Sequence, residues 1–143
     1  MNHKDLDVWQ LSIETVGEIY TNTAKFPKEE KFGLSQQMRR CAVSISSNIA
    51  EGAARRTKRE FRYFLYVSLG STSELETQTI IANNLKFIDS MTFNGLMGSI
   101  VRIKMMLIKL IEVVGSRVEG EAGGGNREAG IVAGKLGVVS REP

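Results

Sequence analysis

The chain has 143 residues, enough for one domain and one core. A single cysteine excludes an intrachain disulfide, and one histidine beside it leaves little material for a Cys/His metal centre or histidine-based catalysis. The net charge is +3, no apolar run approaches the ~18–20 residues of a membrane span, and the opening Met1–Asp5 lacks the apolar stretch of a signal peptide, so the expectation is a soluble, cytoplasmic protein without metal or cofactor.

Only two prolines occur, Pro27 and Pro143, so no proline interrupts a helix over residues 28–142. Seven of the fourteen glycines fall in residues 1–119 and seven in residues 120–143. The chain therefore reads as a helical body over residues 1–116 and a Gly-rich, disordered tail over residues 117–143, with the seam at Gly115-Ser116.

Leu6, Trp9, Ile13, Val16 and Tyr20 recur at steps of 3 and 4, the apolar stripe of a first helix. Phe26-Pro27 ends it, because a residue before proline is driven out of the helical region. A short turn at Lys28-Glu29-Glu30 leads to Gly33. The second helix carries Leu34, Met38, Cys41, Ile45, Asn48 and Gly52 on one stripe. Asn48 is its polar member, either a satisfied core amide that fixes register or a ligand contact; a buried amide without partners costs about 1–3 kcal/mol.

Thr57 followed by Glu60 is a capping box, so a third helix starts there and runs to about Asn84, ~42 Å long. Its middle, Ser68 to Ser73, is small and polar apart from Leu69 and contains Gly70, which suits close approach of a neighbouring helix. After a turn at Asn83-Asn84 and Asp89-Ser90, a fourth helix shows Phe93, Leu96, Ile100, Ile103, Leu107, Leu110 and Val114 at alternating steps of 3 and 4. Four helices with short connections predict an all-α, antiparallel up-down four-helix bundle.

The third and fourth helices carry more apolar surface than one such bundle needs. With Phe61, Phe64, Ser68 and Leu75 inward, Tyr66, Leu69 and Ile80 point outward; Met97, Val101, Met105 and Ile108 form a second stripe on the fourth helix. These seven residues are the candidate interface with further copies, although a one-position shift of register would turn some of them inward.

Charge is concentrated. Residues 39–62 hold Arg39, Arg40, Arg55, Arg56, Lys58, Arg59 and Arg62 against Glu51 and Glu60, net +5, whereas the rest of the chain is net −2. The cluster from Arg55 to Arg62 lies where the second helix hands over to the third, and it suits phosphate backbones better than base-specific readout, since Tyr63 is the one plausible stacking residue. Arg39 and Arg40 stand further along the second helix, level with Gly70 to Glu74 of its antiparallel neighbour. Ion pairs of Arg40 with Glu74, and of Glu51 with Arg59 or Arg62, are the competing structural reading. Asn48, Glu51 and Glu74 are assigned to a polar part of the core.

Catalytic patterns are weak. Glu29/Glu30 and Glu74/Glu76 are too closely spaced to share a helix face, and Ser44, Ser46 and Ser47 lack a histidine base. Gly130 to Leu136 departs from a phosphate loop in its glycine spacing and in Leu136, which stands where magnesium needs a hydroxyl. Cys41 reads as a small core residue. The expectation is that the protein is not an enzyme.

Leu6 to Gln10, Phe26 to Leu34, Arg39 to Gly52 with its run Ser47-Asn48-Ile49-Ala50-Glu51-Gly52, Glu60-Phe61, Phe64-Leu65 and Gly70 to Gln78 closely resemble the four helix bundle protein family, over about residues 4–114. That family is encoded by intervening sequences in bacterial large-subunit ribosomal RNA genes and is similar to the accessory variability determinant protein of diversity-generating retroelements. The resemblance implies a helical bundle closing into a homo-oligomeric ring, with five subunits in relatives, and no known enzymatic activity. It also implies nucleic-acid binding through basic surfaces, carried onto Arg39, Arg40, Arg55, Arg56, Lys58, Arg59 and Arg62, and a reverse transcriptase as a partner in the retroelement branch. The rival reading is a protein-interaction scaffold or accessory subunit that binds no nucleic acid itself.

Overall fold

The computed structural model describes the backbone of residues 1–122 and the side chains of residues 1–116. Four helices follow one another: α1 (Asp7–Thr23), α2 (Leu34–Ala53), α3 (Lys58–Asn84) and α4 (Ser90–Ala122), with 3-10 turns at His3–Asp5 and Lys28–Glu30. Each packs on its neighbours in chain order, and α4 closes the ring of helices against α1. The α2–α3 and α3–α4 seams are broad and the α1–α4 seam is the narrowest. This is the four-helix bundle that the periodicity predicts.

Chain chemistry sets the helix ends. Thr57 accepts the Glu60 N–H at 3.1 Å, while the Glu60 carboxylate accepts the Thr57 N–H at 3.3 Å, so the capping box opens α3 as expected. Asp89 accepts the Thr92 N–H at 2.7 Å and opens α4. Between them α3 ends with Phe87 N–H donating to Ala82 O and Lys86 N–H to Asn83 O. This double closure forces the left-handed region on Lys86, whose φ is 63°. α4 passes the expected seam at Gly115-Ser116 and continues to Ala122. Residues 117–122 of the expected tail therefore belong to α4, and its remainder, residues 123–143, lies outside the described residues.

The core is continuous from Val8 and Ile19 through Met38, Ile45, Ile49, Leu65 and Leu75 to Leu96, Ile100, Ile103 and Leu107. In α4, Leu96, Ile100, Ile103, Leu107 and Val114 of the expected stripe are buried, while Phe93 and Leu110 are half-buried. In α1 the expected stripe is not the buried one: the buried face is Val8, Ser12, Thr15, Ile19 and Thr23, one residue earlier, about 100° around the helix. Trp9 and Val16 sit at its flank, and Ile13 and Tyr20 are each 44% exposed. The hydroxyls make this burial cheap. Ser12 donates to Trp9 O, Thr15 to Leu11 O and Thr23 to Ile19 O, so each satisfies itself on its own helix and presents mainly carbon to the core.

Leu69 also corrects the outward assignment on α3. It is 3% exposed and belongs to the core, because α3 packs on both α2 and α4 and buries a wider arc than one heptad stripe. Phe64, expected inside, is only half-buried.

Candidate nucleic-acid interface

The α2–α3 seam holds the two basic clusters in place, and it is largely polar. Ser68 donates to Ile45 O across the seam at 2.9 Å, the Ser44 and Ser71 hydroxyls meet at 2.9 Å, and the Asn48 amide donates to Ser44 O at 2.8 Å and to Ser44 Oγ at 3.0 Å. Asn48 is half-buried, and both of its amide hydrogen bonds go to Ser44 one turn back on its own helix. At the far end of α2, Gly52 lets the helices touch: a Cβ there would stand 2.8 Å from Phe64 Cβ and 3.1 Å from Phe61 O. Close contact at Gly52 and a tight turn through Ala54 to Thr57 bring the basic residues of two helices to one end of the bundle.

There Arg55, Arg56 and Arg59 are exposed, and Arg62 and Lys58 are half-buried. The Arg55 guanidinium lies 4.9 Å from the Phe64 ring centre and 3.5 Å from the Glu51 carboxylate, both members of that ion pair being about half exposed, 42% and 52%. Arg56 and Arg59 form no ion pair among the described residues. Glu60 is turned back onto Thr57 by the capping box. Tyr63 is 62% exposed and stands edge-on to Phe64, so an aromatic face sits beside the arginines. The N-terminal turn at His3–Asp5 packs on α2.

The remaining predicted residues distribute differently. Arg39 does not join this end. It faces α1, donating to Thr23 Oγ1 at 2.8 Å and to Tyr20 O at 3.3 Å, with its guanidinium 4.6 Å from the Tyr20 ring centre. Arg40 is exposed and forms no ion pair with Glu74 among the described residues. Glu51 and Glu74 are themselves exposed, which corrects their place in the polar core. Glu51 pairs with Arg55 instead of Arg59 or Arg62, and Glu74 accepts from the Cys41 thiol at 3.5 Å. Burial first, and the Glu74 carboxylate second, push that thiol up to about 11, which leaves it protonated and unreactive near neutrality.

On the α3 and α4 surface, Ile80, Val101, Met105 and Ile108 are 41%, 43%, 62% and 37% exposed, while Tyr66 and Met97 are half-buried. Burial raises the Tyr66 phenol, with Arg62 opposing. Lys104 and Glu76 bridge α3 and α4 at 3.2 Å, a half-buried pair that the sequence reading did not foresee. Its signal was available as opposite charges on two adjacent helices, but only the register fixed by the α3–α4 turn aligns them. Among the described residues, no group of three His, Cys, Asp or Glu side chains is placed to hold a metal, and no helix is long and apolar enough to cross a membrane.

A family model described as 23S rRNA-intervening sequence protein matches residues 4–109. No curated protein matches. Among solved structures, a protein with unknown function from the S23 ribosomal protein family of Bacteroides thetaiotaomicron superposes with a TM-score of 0.70. It is 23% identical, and the match covers 78% of this chain and 99% of that one, a likeness of fold.

Proposed function

Because the chain belongs to the family of 23S rRNA-intervening sequence proteins, we propose that it is a non-catalytic, homo-oligomeric bundle that binds RNA or DNA backbones through the Arg55–Arg62 end. The observation that carries this reading is the exposure of Arg55, Arg56 and Arg59 on one turn, with the nearest carboxylate of α3, Glu60, consumed by capping. Guanidinium groups presented this way suit phosphate oxygens, and the exposed Tyr63 ring offers a platform for one unpaired base. Assembly multiplies the effect, since each added copy brings another such end and phosphate binding strengthens with the number of contacts. Arg40 lies outside the cluster on the exposed side of α2 and contributes at long range.

Self-association rests on the row Ile80, Val101, Met105 and Ile108, which leaves large apolar side chains in water on the α3 and α4 surface. The same row favours a second reading, a scaffold or accessory subunit for another protein, such as a reverse transcriptase, whose arginines serve only ion pairs between subunits.

The test is charge reversal. Arg55→Glu, Arg56→Glu and Arg59→Glu together should abolish binding of a fluorescent single-stranded RNA in low salt and leave the thermal midpoint within a few degrees, because all three side chains are exposed. Unchanged binding at low salt rejects the surface.

A further inference from the structure

At the opposite end of the bundle, where α1 turns into α2, a recess of about 430 Å³ is lined by Thr23, Phe26, Lys28, Lys31, Ser35 and Arg39 among others. We propose that this recess is an oxyanion site that takes a phosphate group. Three cations line it, and no carboxylate among the described residues does. Arg39 is held in place from behind, by Thr23 Oγ1, Tyr20 O and the Tyr20 ring. Those contacts use two of the five guanidinium N–H donors and leave the others for a ligand. A guanidinium fixed this way loses little freedom on binding.

Ser35 is the second observation. It is 6% exposed, it lines the recess, and its hydroxyl has no hydrogen-bond partner among the described residues. The hydroxyl opens onto the recess, where it can donate to a phosphate oxygen. Ser35 stands in the first turn of α2, one residue after the N–H that Glu30 takes. Glu30 does not line the recess, but its carboxylate accepts the Leu34 N–H at 3.1 Å and already holds the helix start; Glu29 is exposed on the turn. Lys28 and Lys31, both exposed, supply charge at the rim, with the Lys31 ammonium 5.5 Å from the Phe32 ring centre.

The recess is separate from the Arg55–Arg62 end. Arg39 and Arg55 are 16 residues apart along α2 and its continuation, or about 24 Å at the helical rise. The aromatic contact between Phe26 and Phe87 at 5.3 Å places the recess beside the α3–α4 turn instead. The two proposals therefore stand or fall independently.

Calorimetric titration of the full chain with inorganic phosphate tests the site. One saturable event per subunit is expected, and Lys28→Ala with Lys31→Ala should weaken it about tenfold, since both lysines are exposed and their loss leaves the fold intact. Ser35→Ala should weaken it about threefold with unchanged helix content. Arg56→Glu with Arg59→Glu should leave phosphate affinity unchanged. A dinucleoside monophosphate, whose one phosphate is an internal diester, is the second probe. If it displaces inorganic phosphate, the site reads nucleic-acid backbone; if it does not, the site takes a free or terminal phosphate. No saturable binding up to about 50 mM phosphate, or equal affinity in the Lys28/Lys31 double variant, overturns the assignment.

Discussion

Replacing Gly52 by alanine probes the closest approach between α2 and α3. In an unobstructed helix interior the change stabilises by about 1 kcal/mol, because alanine has less backbone freedom to lose. At Gly52 the added methyl would meet Phe64 Cβ at 2.8 Å, Phe61 Cδ1 at 3.0 Å and Phe61 O at 3.1 Å. A ring can turn, but Phe64 Cβ and the Phe61 carbonyl are fixed to the α3 backbone, so relief requires the two helices to part. Overpacking of this kind costs about 1–3 kcal/mol, and fixed neighbours favour the upper end. The net expectation is a loss of about 2 kcal/mol, or about 4–8 °C in Tm for a chain of this length. Gly70→Ala is the matched control: it lies inside α3, is exposed, and a Cβ there meets nothing within 4 Å, so it should gain about 0.5–1 kcal/mol. Thermal unfolding followed by circular dichroism measures both. If Gly52→Ala matched or exceeded the wild type, the tight α2–α3 contact, and with it the placement of the basic end, would be wrong.

Three further outcomes are expected. The Cys41 thiol is raised from 9.0 to about 11, so its stabilising effect is fully present below pH 9 and is lost as pH rises toward 11; alkaline unfolding should be steeper in the wild type than in Cys41→Ala, and iodoacetamide should label native protein slowly at pH 8. Lys86→Gly should raise stability by about 1 kcal/mol in denaturant titration, because a residue with φ of 63° carries a steric cost that glycine lacks. The Thr92 N–H holds the Asp89 carboxyl below the usual range, so its contribution is present above the unfolded value and fades as pH falls through the lowered one; Asp89→Ala should lower Tm at pH 7 and flatten the acid limb of the Tm–pH curve.

The helices and their starts were legible because apolar spacing and capping chemistry are local. The Thr57–Glu60 box and the α4 stripe from Leu96 to Val114 are the clearest cases. The rotation of α1 was hidden because hydropathy ranks Ile13 and Tyr20 above Ser12 and Thr15, and only the backbone bonds of those hydroxyls make the smaller residues the better core face. Leu69 was misplaced because a single stripe was assumed for a helix with two broad neighbours. Within the site, the clustering of Arg55, Arg56 and Arg59 follows from their closeness in sequence. The position of Arg39 does not: its partners Tyr20 and Thr23 are 19 and 16 residues away, and only the α1–α2 packing brings them together. The recess it lines escaped notice because Glu29 and Glu30 cancel the charge of Lys28 and Lys31 in any sequence window.

The most direct test of backbone binding at the Arg55–Arg62 end is the salt dependence of RNA affinity, measured by fluorescence anisotropy for the wild type and for Arg56→Gln with Arg59→Gln. The wild type should lose affinity linearly in log Kd against log salt, and removing two phosphate contacts per bound subunit should make that slope shallower by about 1.4. Parallel lines for the two proteins would contradict the account.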